Sequence, residues 1–432
     1  MSKFDCQDRH FMQRALDLAQ LALNNTTPNP RVGCVLVKHN RVIGEGYTQA
    51  VGGHHAEMQA LINAQQLNEN TCDAIAYVSL EPCHHFGHTP PCTKALLEAG
   101  IKRVVVATLD PNPIVAGKGI EFLRASGITV EIGLHQEKAI EINAGFFTRM
   151  LHQRPWIRLK TASSLDGRTA LTNGVSQWIT NQAARADGHR WRARACGVMT
   201  GIGTILSDDP QLNVRYIGTK RQPLPIILDS RLQIPLTANI LKGRPPLIVC
   251  ASETLLNSIK AKKLYDVGTE IVALPIQDNH PKNESQLISY TQYSSATKKN
   301  ITEKIDKNLS LSNNTDSHFP LQNQNKNALG IDLNAVALFL AKRQLNEIHV
   351  EAGHTLQGAW IKTGLVDELL MYFSPAIIGN SGKGLFLLPE ITNLNQMHGF
   401  HFKSIELLED NLRLLLQSKK NLNYLNIGSN NI

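Results

Sequence analysis

Residues 32–47 read VGCVLVKHNRVIGEGY, two short apolar runs separated by the polar residues 38–40. Short apolar runs on either side of a polar turn are typical of a β-hairpin. Before them, apolar residues recur with a helical period over residues 8–23, and this period ends in the turn-forming cluster at residues 24–30. The sequence therefore predicts a helix that leads through a turn into two strands.

Strand and helix signals alternate in the residues that follow. AIAYVSL at 74–80 and RVVVATL at 103–109 are rich in β-branched residues, whereas AEMQALINAQQL at 56–67 and CTKALLEAG at 92–100 have a helical pattern. Alternating strands and helices predict an α/β fold in which helices cover a sheet.

A second α/β series begins near Pro155. Its candidate strands and strand-to-loop units are WIRLKTASSLDGRTA (156–170), CGVMTGIGTIL (196–206), LPIILDS (224–230), PPLIVCAS (245–252), EIHVEAG (347–353) and ELLMYFSPAIIG (368–379). We therefore predict two domains, residues 1–150 and residues 151–432. Residues 277–326 are rich in Asn, Ser, Thr, Gln and Lys, which predicts a disordered or loosely packed insertion, or else one that contains a short helix or two.

Composition narrows the class of protein. A length of 432 residues favours two domains, and the sequence contains no run of about 18 apolar residues that could span a bilayer. The net charge of +8 comes from scattered residues without a Lys/Arg block, so we expect an anionic small-molecule substrate and no nucleic acid. Seven cysteines and an N-terminus without an apolar signal predict a cytoplasmic protein.

The strongest chemical signal is a set of possible zinc ligands. His55 and Glu57 stand two positions apart, Cys83 follows Pro82, and Cys92 comes after eight intervening residues. Catalytic zinc takes three protein ligands and keeps one position for water, whose pKa the metal lowers to about 7. One imidazole and two thiolates supply that number, and Glu57 can then transfer protons without binding the metal, as in zinc deaminases.

A structural zinc site is the alternative. Such a site takes four protein ligands, and His84, His85 or His88 could supply the fourth. In a structural site Glu57 would have no role, since it would neither bind the zinc nor transfer protons. His54 is a second candidate for the imidazole ligand, but only His55 has the spacing to the glutamate that the deaminase pattern requires.

These residues resemble the deaminase half of the bifunctional deaminase/reductase of riboflavin synthesis. The matching segments are PNPRVGCVLV (28–37), HAE (55–57), LEPCHHFGHTPPC (80–92) and DPNPIVAGKGI (110–120). The resemblance implies a cytidine-deaminase-like, three-layer domain. It also implies zinc bound by His55, Cys83 and Cys92, Glu57 as the proton shuttle, and Asn29 as a contact to the pyrimidine.

Two residues depart from the family pattern. His88 stands where the family has Lys or Arg, and Gln59 stands where a His is common. A His in place of a permanent cation would bind a substrate phosphate in a pH-dependent way, because its ordinary pKa is about 6.5. These departures bear on the affinity for the substrate and not on the deamination chemistry.

The second half contains small-residue turns between strands and helices. They lie in KTASSLDGR (160–168), SQWIT (176–180), GIGTILSDDP (201–210) and VEAGHTL (350–356). Backbone N–H groups at the start of a helix suit dinucleotide phosphates, yet the G-x-G-x-x-G signature of the Rossmann fold is absent from the sequence. A nicotinamide cofactor would therefore need another fold.

These segments resemble the reductase half of the same family, which implies a dihydrofolate-reductase-like domain that binds NADPH. His354 departs from the family, which often has Pro there, and should alter the rigidity of its loop. The resemblance assigns the cofactor to Ser163, Trp178, Thr204, Asp208, Ser230, Gly353, His354, Thr355 and Leu356. It assigns the second substrate to Ser176, Arg192, Leu212, Arg215 and Glu351, among which the arginines suit phosphate oxygens.

The expected function is a zinc-dependent deamination of a phosphoribosyl pyrimidine followed by its NADPH-dependent reduction, in a homo-oligomer without membrane partners. A first alternative is a nucleobase or nucleoside zinc deaminase whose second domain only binds a regulatory ligand. A second is a zinc-stabilised nucleic-acid-binding module, for which the sequence pI of 9.1 is the main support.

Overall fold

The computed structural model of the chain describes residues 3–84, 91–276 and 330–419. The polar insertion expected at 277–326 lies outside these residues. The chain divides into two compact units. The first comprises Met1–Met199, Leu212–Leu224 and Leu340–Ile432, and the second comprises Thr200–Gln211 and Pro225–Phe339. The boundary at residue 150 lies within the first unit and stays a prediction.

The N-terminal part of the first unit contains a five-stranded sheet in the order β2-β1-β3-β4-β5. Its strands are β1 (Gly33–Lys38), β2 (Arg41–Tyr47), β3 (Ile75–Val78), β4 (Arg103–Val106) and β5 (Thr129–Ile132). Its helices are α1 (Cys6–Leu21), α2 (Ala56–Gln66), α3 (Cys92–Glu98), α4 (Lys118–Ala125), α5 (Gln136–Ile142) and α6 (Ala144–His152).

The predicted hairpin is confirmed in β1 and β2, which pair antiparallel with Lys38 opposite Arg41. The two residues between the strands, His39 and Asn40, have φ angles of +50° and +57°. Positive φ at both positions is the geometry of a two-residue turn that matches the right-handed twist of the strands.

Helices cover both faces of this sheet. On one face, Met12 and Leu16 of α1 and Ala139 of α5 pack against Val35 and Val105. On the other face the buried side chains come from the sheet, from α2, α3 and α4 and from the start of α6, and include Leu36, Ala60, Val78, Leu96, Val104, Leu123 and Phe146. The three-layer arrangement expected for the N-terminal domain is therefore present.

The remaining elements follow in chain order. The strands are β6 (Trp156–Ser164), β7 (Arg168–Ala170), β8 (Gly197–Gly201), β9 (Leu224–Leu228), β10 (Leu247–Cys250), β11 (Glu270–Ala273), β12 (Glu347–Glu351), β13 (Val366–Ser374), β14 (Lys383–Gly384), β15 (Phe400–Leu408) and β16 (Asn411–Ser418). The helices are α7 (Gln182–Arg194), α8 (Ile202–Asp208), α9 (Ile259–Asp266), α10 (Leu333–Lys342) and α11 (His354–Thr363). Short 3-10 helices span Asn239–Lys242, Glu253–Asn257 and Leu394–Gln396.

A second, mixed sheet of the first unit has the order β8-β12-β6-β13-β16-β15. β12 is parallel to β8 and β6, and β13 is parallel to β6. β16 pairs antiparallel with β13 and with β15. In the second unit, β10 pairs in parallel with β9 and β11. Mixed sheets with covering helices confirm the α/β class, and each of the six strand candidates from residue 156 onward contains a strand. Among the described helices, none has both the length and the apolar character needed to cross a bilayer.

A buried ion cluster joins the two sheet regions of the first unit. The carboxylate of Glu347 on β12 lies 2.5 Å from Nη1 of Arg31, 3.0 Å from Nε of Arg194 and 3.4 Å from Nη2 of Arg158. Burial alone would raise the pKa of Glu347, but the three arginine charges outweigh it and hold that pKa far below its ordinary value. Arg31 belongs to the N-terminal sheet region, so this carboxylate links it to the second sheet.

Replacement of Glu347 by Gln should destabilise the protein, because three buried or half-buried guanidinium groups would lose their common counter-charge. We expect a loss of about 3 to 5 kcal/mol in the free energy of unfolding, measured by urea titration. The matched control is Glu69→Gln, which breaks the exposed pair with Arg41 and should leave the unfolding midpoint unchanged. Equal midpoints for both variants would contradict the role given to the cluster.

Candidate functional site

The start of α2 is fixed by close packing on β2. A Cβ atom added to Gly46 would lie 2.5 Å from Cβ of Gln59 and 2.7 Å from the carbonyl oxygen of Ala56, so the helix approaches the strand at a distance that only glycine permits. His55 is the N-cap residue of α2, and Glu57 lies in its first turn. The packing therefore places the imidazole and the carboxylate at the same end of the helix.

The two cysteines lie where a loop passes from β3 into α3. Cys92 is the first residue of α3, and its backbone N–H points to Sγ of Cys83 at 3.5 Å. Glu81 holds the loop, because its carboxylate accepts hydrogen bonds from the N–H groups of Gly117 and Gly119 near the start of α4. A Cβ atom at Gly119 would lie 2.1 Å from the carbonyl oxygen of Pro82, so α4 packs directly against this loop.

His55, Cys83 and Cys92 meet, as the sequence predicts. Nδ1 of His55 lies 3.5 Å from Sγ of Cys83 and 3.4 Å from Sγ of Cys92, and the three atoms lie within 4.8 Å of one another. Zinc bonds of about 2.3 Å to sulfur and about 2.05 Å to nitrogen give nitrogen–sulfur separations of about 3.5 Å in a tetrahedron. The donor set and its spacing therefore fit tetrahedral zinc.

The other histidines that the sequence offers as zinc ligands are His54, His84, His85 and His88. Among the described residues, the group of possible metal ligands at this place contains three members. His84 is engaged elsewhere, because its Nδ1 lies 3.1 Å from the Thr93 hydroxyl and its ring stacks on Phe122 at 4.4 Å. His54 is exposed. His85 and His88 lie outside the described residues.

The three ligands alter one another's pKa values through shared protons. The hydrogen bond with Cys83 is the main reason that the pKa of His55 rises to about 9, with a smaller contribution from the charge of Glu57. Hydrogen bonds from Cys92 and His55 lower the pKa of Cys83, while the pKa of Cys92 is raised. Cys83 is thus the thiolate of the pair, and a cation placed among these atoms would replace their shared protons.

Glu57 is buried beside the ligands. Burial, and then the charge of Cys83, raises the pKa of its carboxyl group to about 7. A carboxyl group with a pKa near neutrality can both accept and release a proton at working pH. Asp110 is also buried, and its pKa likewise rises to about 7, mainly through burial. Our sequence reasoning quoted Asp110 within a motif but gave it no role.

Asn29 and Gln59 are half-buried. Asn29 lies in the turn before β1, where its N–H donates to the carbonyl oxygen of Thr26 at 2.8 Å. Gln59 follows Glu57 by two positions on α2 and borders a surface groove of about 470 Å³ between α1, β2 and α2. The contact of Asn29 with a pyrimidine stays a prediction.

A second group of charged residues lies in the other sheet region of the first unit. Arg192 on α7 makes two hydrogen bonds to Glu351 on β12, one of them at 2.9 Å between Nη2 and Oε2. A third N–H group of this guanidinium donates to the carbonyl oxygen of Asn213 at 3.0 Å. Two predicted substrate residues thus pair with each other, and Arg192 keeps two of its five N–H donors for a ligand.

Three further residues of this group carry no assignment from the sequence. Nζ of Lys160 lies 4.0 Å from the carboxylate of Glu351, and Nε2 of His349 lies 3.3 Å from it. His189 on α7 accepts a hydrogen bond from the N–H of Arg215. Lys160 and His349 could have been found, since Lys160 opens the quoted KTASSLDGR segment and His349 lies in the quoted EIHVEAG segment, whereas His189 stands in a stretch without a motif.

The other predicted substrate residues of the first unit differ in exposure. Leu212 is buried and has a φ angle of +49°, and the exposed Arg215 donates to the Asn213 side chain at 2.8 Å. Ser176 is half-buried.

Several predicted cofactor residues also lie in the first unit. Ser163 is fully buried, and among the described residues its hydroxyl has no hydrogen-bond partner. Gly353 is the N-cap of α11 and provides no side-chain cap, so the first-turn N–H groups at residues 354–356 have no acceptor from the N-cap. Trp178 is 69 % exposed, with the guanidinium of Arg185 4.6 Å from its ring centroid. An unpartnered hydroxyl and an uncapped helix start fit a cofactor with phosphate and amide groups.

The remaining cofactor candidates lie in the second unit. Thr204 and Asp208 stand on α8, which begins directly after Gly201, and Ser230 follows β9. The predicted strand-to-helix turn at GIGT is therefore present. The roles of these residues stay predictions.

Two family models match the chain. The model described as the cytidine and deoxycytidylate deaminase zinc-binding region matches residues 5–108, which contain the three zinc ligands and Glu57. The model described as the RibD C-terminal domain matches residues 155–410.

Relatives match over almost the whole chain. The riboflavin biosynthesis protein RibD of Haemophilus influenzae is 35% identical over 431 residues, which is 97% of this chain and 100% of the relative. The solved structure of RibD from Acinetobacter baumannii is 36% identical, with a TM-score of 0.76 over 95% of this chain and 99% of that one. A Thermotoga maritima structure, described as a diaminohydroxyphosphoribosylaminopyrimidine deaminase/5-amino-6-(5-phosphoribosylamino)uracil reductase, is 27% identical, with a TM-score of 0.74 over the same shares.

These matches do not favour a deaminase with a merely regulatory second domain, because relatives that match almost the whole chain include one described as a deaminase and a reductase. The chain belongs to the RibD family, the bifunctional zinc-binding deaminases and reductases of riboflavin biosynthesis.

Proposed function

We propose that the chain catalyses two consecutive steps on phosphoribosyl pyrimidines. The first is the hydrolytic deamination of 2,5-diamino-6-(5-phosphoribosylamino)pyrimidin-4(3H)-one. The second is the NADPH-dependent reduction of the ribosyl group of 5-amino-6-(5-phosphoribosylamino)uracil to a ribityl group. The observation that carries the first step is the meeting of His55, Cys83 and Cys92 beside a buried Glu57. The description of the Thermotoga maritima relative supports both substrates.

In the deaminase site the residues of the chain bind, orient and transfer protons. His55, Cys83 and Cys92 hold the zinc, which when bound makes a water molecule reactive at neutral pH. Asn29 orients the pyrimidine. Glu57 takes a proton from the attacking water and delivers it to the departing 2-amino group, so that ammonia leaves as the ring carbon gains an oxygen. Burial of Glu57 keeps this transfer away from bulk water.

Replacement of Glu57 by Gln should separate metal binding from catalysis. We expect about one zinc per chain in this variant but a loss of ammonia release by a factor of about 100 to 10,000, because only the proton transfer is removed. Cys83→Ser should lose the metal and the activity together. Zinc would be measured by atomic emission and ammonia by a coupled assay.

The matched control is Cys72→Ser, since Cys72 is an exposed free thiol outside the ligand group; it should keep both zinc and activity. Ammonia release at the wild-type rate in the Glu57→Gln variant would remove the proton-transfer role.

In the reductase site the chain places the donor and the acceptor. NADPH, when bound, supplies the two electrons for reduction at ribose C1′. Ser163, Trp178 and the start of α11, all in the first unit, bind this cofactor. Ser176, Leu212 and the pair Arg192 and Glu351 face the sugar, and the exposed Arg215 meets the phosphate. Most of the rate then comes from holding both partners in contact.

NADPH oxidation should depend on which pyrimidine is supplied. With 5-amino-6-(5-phosphoribosylamino)uracil, wild type and Glu57→Gln should oxidise NADPH at rates within about twofold of each other, because the second step does not use the zinc site. With the diamino precursor only the wild type should do so. The loss of absorbance at 340 nm measures both.

Failure of the wild type to oxidise NADPH with either compound would contradict the second activity and favour a regulatory second domain. Salt-sensitive nucleic-acid binding without ammonia release would favour a binding module instead.

We also propose that residues 1–150 form the deaminase domain and residues 151–432 the reductase domain. The two matched ranges, 5–108 and 155–410, support this division. A cytoplasmic location is supported by the seven cysteines, all of which are unpaired.

A homo-oligomer is the proposed assembly, with contact through the face of β15 and β16. Three residues of β15, Phe402, Ile405 and Leu407, are 62 %, 59 % and 74 % exposed. They stand opposite the leucines at 416, 414 and 412, so one face of this hairpin carries a stripe of apolar pairs. Among the described residues β15 is the last strand of its sheet, and a strand edge that they leave unpaired next to an apolar stripe suits a second copy of the same surface.

The double change Ile405→Glu with Leu407→Glu should shift the protein toward monomers, because it would bury charge in that contact. Sedimentation velocity measures the change. Ile259→Glu is the control, since Ile259 is 77 % exposed on α9, which belongs to the second unit. A monomeric wild type, or an unchanged sedimentation coefficient in the double variant, would contradict the contact.

A further inference from the structure

The turn at residues 212–216 is fastened by side chains from outside it. The Val214 N–H donates to the Gln222 side-chain oxygen at 2.8 Å, and the Gln222 amide donates back to the Val214 carbonyl at 3.1 Å. The Arg192 guanidinium donates to the carbonyl oxygen of Asn213 at 3.0 Å. These bonds fix the middle of the turn and leave its last residues, Arg215 and Tyr216, to be held separately.

His189 holds the end of the turn. Its Nδ1 accepts the backbone N–H of Arg215 at 3.2 Å, and its ring meets the Tyr216 ring edge-on with centroids 4.6 Å apart. His189 is only 4 % exposed, whereas the Arg215 side chain extends from the turn toward the surface. His189 and Arg192 stand three residues apart on α7, which places them on the same side of the helix.

The bond from Arg215 requires an imidazole without a proton on Nδ1. Burial, and then the nearby charges of Arg192 and Arg215, lowers the pKa of His189 to about 4, and only Glu351 among its charged neighbours opposes this shift appreciably. Lys160 adds a further small repulsion. The ring is therefore neutral at ordinary working pH and available as an acceptor.

We propose that His189 is a positioning residue of the reductase site, which holds the backbone at Arg215 so that its guanidinium faces the phosphate of the phosphoribosyl substrate. This inference rests on the proposed function of the second step. His189 does not touch the reacting atoms. It acts through the turn, so its removal should weaken the binding of the anionic end of the substrate and spare the chemical step.

The test compares His189→Leu with His189→Asn in the full-length protein. Leucine fills similar space without an acceptor, whereas the Oδ1 atom of asparagine can stand where Nδ1 stands and accept the same N–H. The substrate is 5-amino-6-(5-phosphoribosylamino)uracil, supplied directly with NADPH. Loss of one hydrogen bond predicts a KM for this substrate about tenfold higher in His189→Leu, with kcat within about twofold of wild type. His189→Asn should restore KM to within about threefold.

A double-variant cycle with Arg215→Met shows whether His189 acts through Arg215. If it does, His189→Leu should raise KM no further in the Arg215→Met background. The KM for NADPH and the midpoint of thermal unfolding report whether the fold is intact. A lower midpoint with kcat and both KM values altered together would show a merely structural role.

Three further results would overturn the proposal: an unchanged KM in His189→Leu, effects of the two changes on KM that simply multiply, or failure of His189→Asn to restore KM. An inactive wild type would instead refute the proposed second step, so the two failures are distinguishable.

Discussion

The close contact between α2 and β2 determines where the deaminase chemistry can occur. Gly46 lets the helix pack closely on the strand, and the start of this helix carries His55 as its N-cap and Glu57 in its first turn. A side chain at Gly46 would push the helix away and separate the imidazole from the two thiolates. Glu81, by a hydrogen bond from the Gly119 N–H, and Gly119, by close packing on Pro82, hold the cysteine loop against the start of α4. The metal site is thus the meeting point of two rigidly packed segments.

The sequence predicts those parts of the site whose residues lie close together along the chain. The pairing of His55 with Glu57 and the separation of Cys83 from Cys92 are local patterns, and the structure brings the three ligands together. The hairpin of β1 and β2 was also predictable, because the polar residues 38–40 between two apolar runs are a local signal. The packing that holds the site was not predictable, since a glycine that permits a close approach is no different in the sequence from a glycine in an ordinary turn.

Contacts between residues that are far apart in the sequence could not be predicted either. Glu347 binds Arg31 across 316 positions of sequence, and His189 holds Arg215 from a helix that has no catalytic motif. The strands β15 and β16 also escaped the sequence reading, because the alternation of β15 is interrupted by an irregularity between Phe402 and Ser404. Such features depend on which distant elements become neighbours, and periodicity alone carries no information on that choice.

The central claim is that zinc is held by one nitrogen and two sulfur ligands of the chain, with one position left for water. X-ray absorption spectroscopy at the zinc edge of the purified, full-length protein measures this directly. The account predicts two sulfur scatterers at about 2.3 Å and two nitrogen or oxygen scatterers at about 2.0 to 2.1 Å, with the multiple-scattering signal of a single imidazole. A spectrum with two imidazoles, or with three or four sulfur ligands, would contradict it.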